Sequence, residues 1–289
     1  MEKKPEKKIL KWFDEYNHGS LDRRDFLKRL SVFTGGLVAA NALLVSMEKG
    51  SASADLVAKD DPRLVTADIT YPGATGEIRA KLARPKGTEK LPSVLVIHEN
   101  RALNAHIADV TRRVALEGFN ALAPDALSPV GGTPPEEPKA IEMISKLDMT
   151  STIKNFVAAV QYLKTAPQST GKVGVVGFCW GGAMANQMAV HSLDVQAVVP
   201  YYGPPPASED VPKIKASLLL HYADKDDRVN KGIPAYEEAL KKAGADYKLY
   251  MYEGTQHAFN NDTGARYNKE AAELAWKRTI AFLKEKLKV

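Results

Sequence analysis

Residues 173–183 read Val173-Gly174-Val175-Val176-Gly177-Phe178-Cys179-Trp180-Gly181-Gly182-Ala183. An apolar run enters this stretch, a Gly-x-Cys-x-Gly turn bends it, and a helix-forming sequence leaves it. That is the pattern of a nucleophile elbow carrying sulfur in place of a serine oxygen. The bend is so sharp that side chains two residues either side of the nucleophile would collide, which accounts for glycine at 177 and 181. Such a turn holds its sulfur at the carboxyl end of a strand, with the first N–H groups of the next helix aimed at it. That placement favours thiolate over thiol. The Trp180 N–H is placed to be one oxyanion donor.

Around this turn the chain alternates short apolar runs with helical periodicity. Strands are expected at 93–98, 119–124, 172–177, 195–203, 217–223 and 247–253, and helices at 105–117, 139–147, 151–164, 181–191, 231–242 and 269–286. Strands alternating with helices imply a mostly parallel sheet covered on both faces, an α/β fold. Runs 64–71 and 76–85, separated by Pro72-Gly73, suggest an antiparallel hairpin at one edge of the sheet. No internal repeat or linker interrupts residues 60–289, so residues 55–289 are expected to form one catalytic domain.

A nucleophile needs a base and a group to orient it. Three histidines follow Cys179: His191, His221 and His257. The first falls in a helix and the second inside an apolar strand. His257 comes directly after a strand, where a loop can bring its ring over the sulfur. The acid is expected in Ala223-Asp224-Lys225-Asp226-Asp227-Arg228. Spacing from the strand end favours Asp226, with Asp224 and Asp227 left open. Glu99 closes the apolar strand 93–98, a position that hints at function. The backbone N–H of Asn100 is the natural second oxyanion donor.

Composition narrows the chemistry further. The 289 residues contain one cysteine, Cys179, which excludes an internal disulfide and a multi-cysteine zinc site. None of the six histidines stands in a His-x-x-x-His arrangement, so no metal ligand set and no cofactor is expected. Of the net charge of +5, residues 1–54 carry +3, and the remainder is nearly balanced. That balance gives no reason to expect a nucleic-acid partner.

Four segments carry a family resemblance: Gly177-Phe-Cys-Trp-Gly-Gly182, His98-Glu99-Asn100-Arg101-Ala102-Leu103-Asn104, Ala121-Leu-Ala-Pro-Asp125 and Gly254-Thr-Gln-His-Ala-Phe259. Over roughly residues 65–287 the chain resembles the dienelactone hydrolases, the carboxymethylenebutenolidase-like family. The resemblance implies an α/β-hydrolase fold, a Cys179–Asp226–His257 triad, and an ester or lactone substrate cleaved through an acyl-thioester. It also implies that Glu99 interacts with the resting thiol and helps switch it to thiolate. Arg101 is a candidate for binding a substrate carboxylate. In dienelactone-cleaving members an arginine follows the catalytic histidine by four residues; here that position is Asn261, and Arg266 is the nearest later arginine. The individual substrate is therefore left open. The alternative is a non-catalytic, exported small-molecule binding protein on the same scaffold.

The N-terminal 54 residues read as a leader. Arg23-Arg24-Asp25-Phe26-Leu27-Lys28 resembles a twin-arginine export signal. The apolar run Leu30–Val45 is 16 residues long, short of the roughly 20 that span a bilayer, so no stable membrane span is expected. Ala52-Ser53-Ala54 supplies a small-x-small cleavage pattern with Asp55 as mature start. Export machinery is the implied partner and the periplasm the implied location. The alternative is a cytoplasmic protein with an ordinary surface helix here.

Overall fold

The computed structural model describes residues 8–9, 12–13, 15–16, 21–48 and 55–288. The Ala52-Ser53-Ala54 cleavage pattern lies outside the described residues. Helices α1 (Arg23–Thr34) and α2 (Leu37–Glu48) precede the sheet. The Asp22 carboxylate caps α1 by accepting the Asp25 N–H at 2.8 Å, and Gly35 ends it in the left-handed conformation. Gly35-Gly36 thus divides the apolar run 30–45 between two helices. Helix α2 folds back on α1 around Phe26, Leu30, Ala40 and Leu44, a cluster separate from the rest of the core.

Eight strands form one sheet: β1 (Leu64–Gly73), β2 (Gly76–Pro85), β3 (Leu91–Ile97), β4 (Asn120–Pro124), β5 (Ser169–Phe178), β6 (Val195–Tyr201), β7 (Ser217–Lys225) and β8 (Tyr247–Gln256). Their order is β1-β2-β4-β3-β5-β6-β7-β8. β1 pairs antiparallel with β2 and β2 with β4; every other pairing is parallel. This is the α/β-hydrolase fold. The edge hairpin expected at 64–85 is present, but its turn is Ala74-Thr75, because Pro72 pairs with Glu77 inside β1. A proline missing its N–H is tolerated on an edge strand.

The longer helices that follow are α3 (Ala105–Leu116), α4 (Glu137–Ser145), α5 (Met149–Thr165), α6 (Trp180–His191), α7 (Ile233–Ala243) and α8 (Lys269–Leu287). Ile107, Val110, Ile280 and Leu283 of α3 and α8 pack on one face of the sheet. Ala140, Phe156, Met184 and Leu240, from α4 to α7, pack on the other. The central strands are therefore buried on both faces, which is why residues 94–97 of β3 and 173–178 of β5 read as continuous apolar runs. Polar groups are left to the strand ends, and the carboxyl ends of β3, β5, β7 and β8 converge on one side.

Candidate active site

Cys179 sits between β5 and α6 with φ 56° and ψ −114°, a strained conformation for a residue with a side chain. Two glycines make the bend possible. A Cβ on Gly177 would lie 1.9 Å from the Gly181 carbonyl oxygen, and one on Gly181 would lie 2.4 Å from the carbonyl oxygens of Ile97 and His98. The turn is thus locked against the end of β3. The Cys179 N–H donates to the Tyr201 carbonyl at 3.0 Å, tying the bend to β6 as well. The residue is 6% exposed and lines a cavity, so its sulfur is buried yet reachable.

His257 follows β8 and lies close enough to Cys179 for the two groups to interact electrostatically. Its Nδ1 faces the Asp226 carboxylate at 2.5 Å. Burial works to lower the imidazole pKa, but the Cys179 sulfur and the Asp226 carboxylate outweigh it and hold the ring at about 10. Burial likewise works to raise the Asp226 pKa, and the His257 contact overrides it, so that the acid stays below the ordinary carboxylate range. Of the three competing aspartates, Asp226 alone faces His257. Asp224 is exposed and accepts the Gly254 N–H at 3.0 Å, and Asp227 is exposed in the first turn of a short helix.

Glu99 is buried at the end of β3. One of its oxygens accepts from Asn261 Nδ2 at 2.7 Å, and the other from the Tyr202 hydroxyl at 3.4 Å. Tyr202 is buried with φ 39°, and its ring centroid lies 5.0 Å from that of His257. Burial pushes its phenol pKa well up, with the Glu99 carboxylate and Cys179 adding to the rise. The phenol therefore remains a donor. Neither contact to Glu99 was part of the sequence reading. In the sequence Asn261 stands where the resemblance would place an arginine, and Tyr202 closes an apolar strand with no polar pattern around it.

The cavity beside Cys179 has a volume of about 200 Å³. Asn100, Trp180, Ala183 and Pro204 line it near the sulfur, Ile141, Ile144 and Ser145 come from α4, and Arg228 stands on the turn after Asp226. Arg101 is not among the lining residues; it pairs with Glu137 at 3.4 Å. Arg228 is thus a cation at the site that sequence reasoning passed over.

Two other histidines act as scaffold. His98 is fully buried, and desolvation pulls its pKa down. Its Nε2 accepts the Ala126 N–H at 3.2 Å, which places the proton on Nδ1, 2.6 Å from the Glu99 carbonyl. Its ring stacks on Trp180 at 5.2 Å and so steadies the residue after Cys179. His221 is buried between the Tyr252 hydroxyl at 2.9 Å and the Thr279 hydroxyl at 3.0 Å, and burial lowers its pKa to about 3.

A cysteine elbow, a histidine on the loop after β8 and a small apolar cavity are assembled here on an α/β-hydrolase sheet. Residues 78–287 match the family model described as dienelactone hydrolase family. The chain belongs to the dienelactone hydrolase family. Among its relatives is a Saccharolobus solfataricus protein assigned as a carboxymethylenebutenolidase, 34% identical over 75% of this chain and 97% of that one. A Methylorubrum extorquens protein with the same assignment is 30% identical over 90% and 93%. A solved structure of a Klebsiella pneumoniae protein, assigned as a dienelactone hydrolase, superposes with a TM-score of 0.71 at 26% identity, covering 77% of this chain and 99% of that one. Residues 4–35 separately match a model described as YqhI-like. As a dienelactone hydrolase family member, the protein is a carboxylic-ester hydrolase, and the non-catalytic alternative is not favoured.

Proposed function

We propose that this hydrolase cleaves a small activated ester or lactone, of the enol-ester kind, with Cys179 as nucleophile. The observation that carries the reading is the contact of His257 with Cys179 on one side and with Asp226 on the other. Held at about 10, the imidazole is protonated at neutral pH, and an imidazolium beside the sulfur favours thiolate. The thiolate adds to the substrate carbonyl. The backbone N–H groups of Asn100 and Trp180 hold the oxyanion. Collapse expels the leaving oxygen, which takes its proton from His257, and leaves an acyl-thioester. Neutral His257 then removes a proton from water, the water oxygen attacks the thioester, and the acid and the Cys179 thiolate are released. Asp226 keeps the ring oriented throughout. Glu99, buried beside Tyr202 near the sulfur, is assigned the switch between resting thiol and thiolate, because a second negative charge in a dry pocket is disfavoured. Enolate leaving groups suit a thiolate, since sulfur is itself a good leaving group and ordinary alkoxides compete with it poorly. The cavity of about 200 Å³ suits a small acyl portion.

The test is a lactone and ester panel read by turnover and by mass spectrometry. Wild type should turn over activated esters and show an acyl adduct on Cys179, and Cys179→Ala should do neither. Absence of both adduct and turnover in the wild type would overturn the assignment.

We further propose that residues 1–54 are a twin-arginine-type leader and residues 55–289 the hydrolase domain, acting in the periplasm. The Arg23-Arg24 pair ahead of an apolar run supports this. A folded reporter carrying residues 1–54 should be exported, and should stay inside the cell when both arginines are changed to lysine.

A further inference from the structure

The turn between α1 and α2 exposes an apolar tip. Val32 is 80% exposed, Phe33 43%, Leu37 62% and Val38 87%, all within seven residues of sequence. From Leu37 to Val45, α2 carries one polar side chain, Asn41, and that accepts from Arg23 at 2.9 Å. A helix that is apolar all round belongs inside an apolar medium, yet only Ala40 and Leu44 of this one have buried side chains among the described residues.

Several polar groups at the tip are satisfied from within. The Thr34 hydroxyl donates to the Leu30 carbonyl at 3.2 Å and lies 3.1 Å from that of Gly36, and the Ser31 hydroxyl donates to the Lys28 carbonyl at 2.8 Å. The Gly35 and Gly36 N–H groups both close on the Ser31 carbonyl. Each such internal bond spares a group that would otherwise have to be stripped of water on entering lipid. Behind the tip lies an aromatic and cationic collar. Trp12 meets Phe33 edge-on at 5.4 Å, and Lys8 and Arg29 lie 5.3 and 5.8 Å from the Trp12 ring centroid. Tryptophan flanked by Lys and Arg is the composition of the headgroup level of a membrane. Arg29 and Lys28 also have carboxylate neighbours, Glu15 and Asp25, so apolar insertion carries more of the binding than charge does. Twelve helical residues reach about 18 Å, well under the roughly 30 Å of a hydrocarbon core, so the tip enters one leaflet and does not cross.

We infer that the α1–α2 turn is a lipid-docking element, holding the full-length chain on a bilayer surface through Val32, Phe33, Leu37 and Val38. The inference concerns the full-length chain and is independent of the chemistry at Cys179.

Flotation of the full chain tests it, with vesicles of equal parts phosphatidylcholine and phosphatidylglycerol, and of phosphatidylcholine alone. Wild type should float with the mixed vesicles and less with the neutral ones. Val38→Asp and Val32→Asp should each weaken partitioning by about tenfold or more. Both positions are solvent-exposed, so unchanged hydrolysis of an activated ester and an unchanged circular dichroism spectrum should accompany the loss. The inference is overturned if wild type does not float with mixed vesicles, or if the two variants float like wild type. It is equally overturned if light scattering shows a dimer that Val38→Asp dissolves, since the tip would then be a protein interface.

Discussion

Asn261 donates its side-chain N–H to the Glu99 carboxylate at 2.7 Å, joining the loop after His257 to the end of β3. The donor is neutral, and the second oxygen of Glu99 also meets a neutral donor, the Tyr202 hydroxyl. Among the described residues no cation forms a salt bridge with Glu99, so this buried carboxylate depends on each of its hydrogen bonds. Removing one leaves an unsatisfied buried charge, at a cost of about 1.5–3 kcal/mol. Asn261→Ala should therefore lower kcat/KM for an activated ester by roughly ten- to a hundredfold, with a fall in melting temperature. Asn261→Asp, which sets a second carboxylate against the first, should be worse than Asn261→Ala on both measures. Kinetics within about twofold of wild type for Asn261→Ala would mean that Glu99 does not need this donor.

The His257 pair sets a stability window in pH. Its ring is held at about 10, above the ordinary 6.5, so the folded state binds this proton more tightly than the unfolded chain. The resulting stabilisation is complete below about pH 6.5 and is lost as pH rises through about 10. Asp226 acts in the opposite sense. Its lowered pKa stabilises the fold above the ordinary 3.8, and the contribution is lost as pH falls through the folded value. Chemical denaturation across the alkaline range should show stability declining in wild type and a much flatter profile in His257→Gln. Parallel profiles for the two proteins would contradict the assignment of the alkaline loss to this ring.

The bend at Cys179 admits no side chain on its inner wall. A Cβ on Gly181 would meet the backbone oxygens of Ile97 and His98 at 2.4 Å, and neither belongs to a flexible side chain that can swing aside. Gly181→Ala must push α6 away from the end of β3, carrying the Trp180 N–H with it. We expect at least a hundredfold loss of kcat/KM together with destabilisation of several kcal/mol, in the range of severe core strain. Both would be read from soluble protein by ester turnover and urea unfolding. An active, stable Gly181→Ala protein would show that the bend can relax.

What the sequence disclosed follows from the range of the forces involved. The bend at Cys179 was legible because its constraint is local: glycine is required within two residues of the strained position. The sheet was legible because residues 94–97 of β3 and 173–178 of β5, buried on both faces, read as apolar runs. Asp226 and His257 could be placed because each follows a strand, although choosing Asp226 over Asp224 needed the distance to the ring. The Tyr202 hydroxyl and the Asn261 amide reach Glu99 across 103 and 162 residues of sequence, and no local pattern marks such contacts. Arg101 stands beside Glu99 in sequence, yet it turns to Glu137 on α4. The position of Pro72 inside β1 was hidden for another reason. Proline is a turn signal, and only its place at the sheet edge, where an N–H is not needed, overrides that signal.

Arg228 makes the last prediction, because it separates recognition from positioning. It lines the Cys179 cavity, is exposed, and among the described residues makes no salt bridge. A guanidinium at the mouth of a small apolar cavity offers paired N–H donors to a carboxylate, an arrangement that lysine reproduces only as a point charge. For an activated ester carrying a carboxylate, Arg228→Gln should raise KM by about five- to tenfold, an effect kept modest by solvent screening. The neutral ester with the same leaving group should change by less than about twofold, and Arg228→Lys should fall between wild type and Arg228→Gln on the anionic ester. Arg228 also lies two residues from Asp226 and helps to keep that carboxyl ionised. If its main role were there, Arg228→Gln would lower kcat on both esters alike and shift the acid limb of the pH profile. A loss confined to KM on the anionic ester assigns the residue to substrate; an equal loss of kcat on both removes it from recognition.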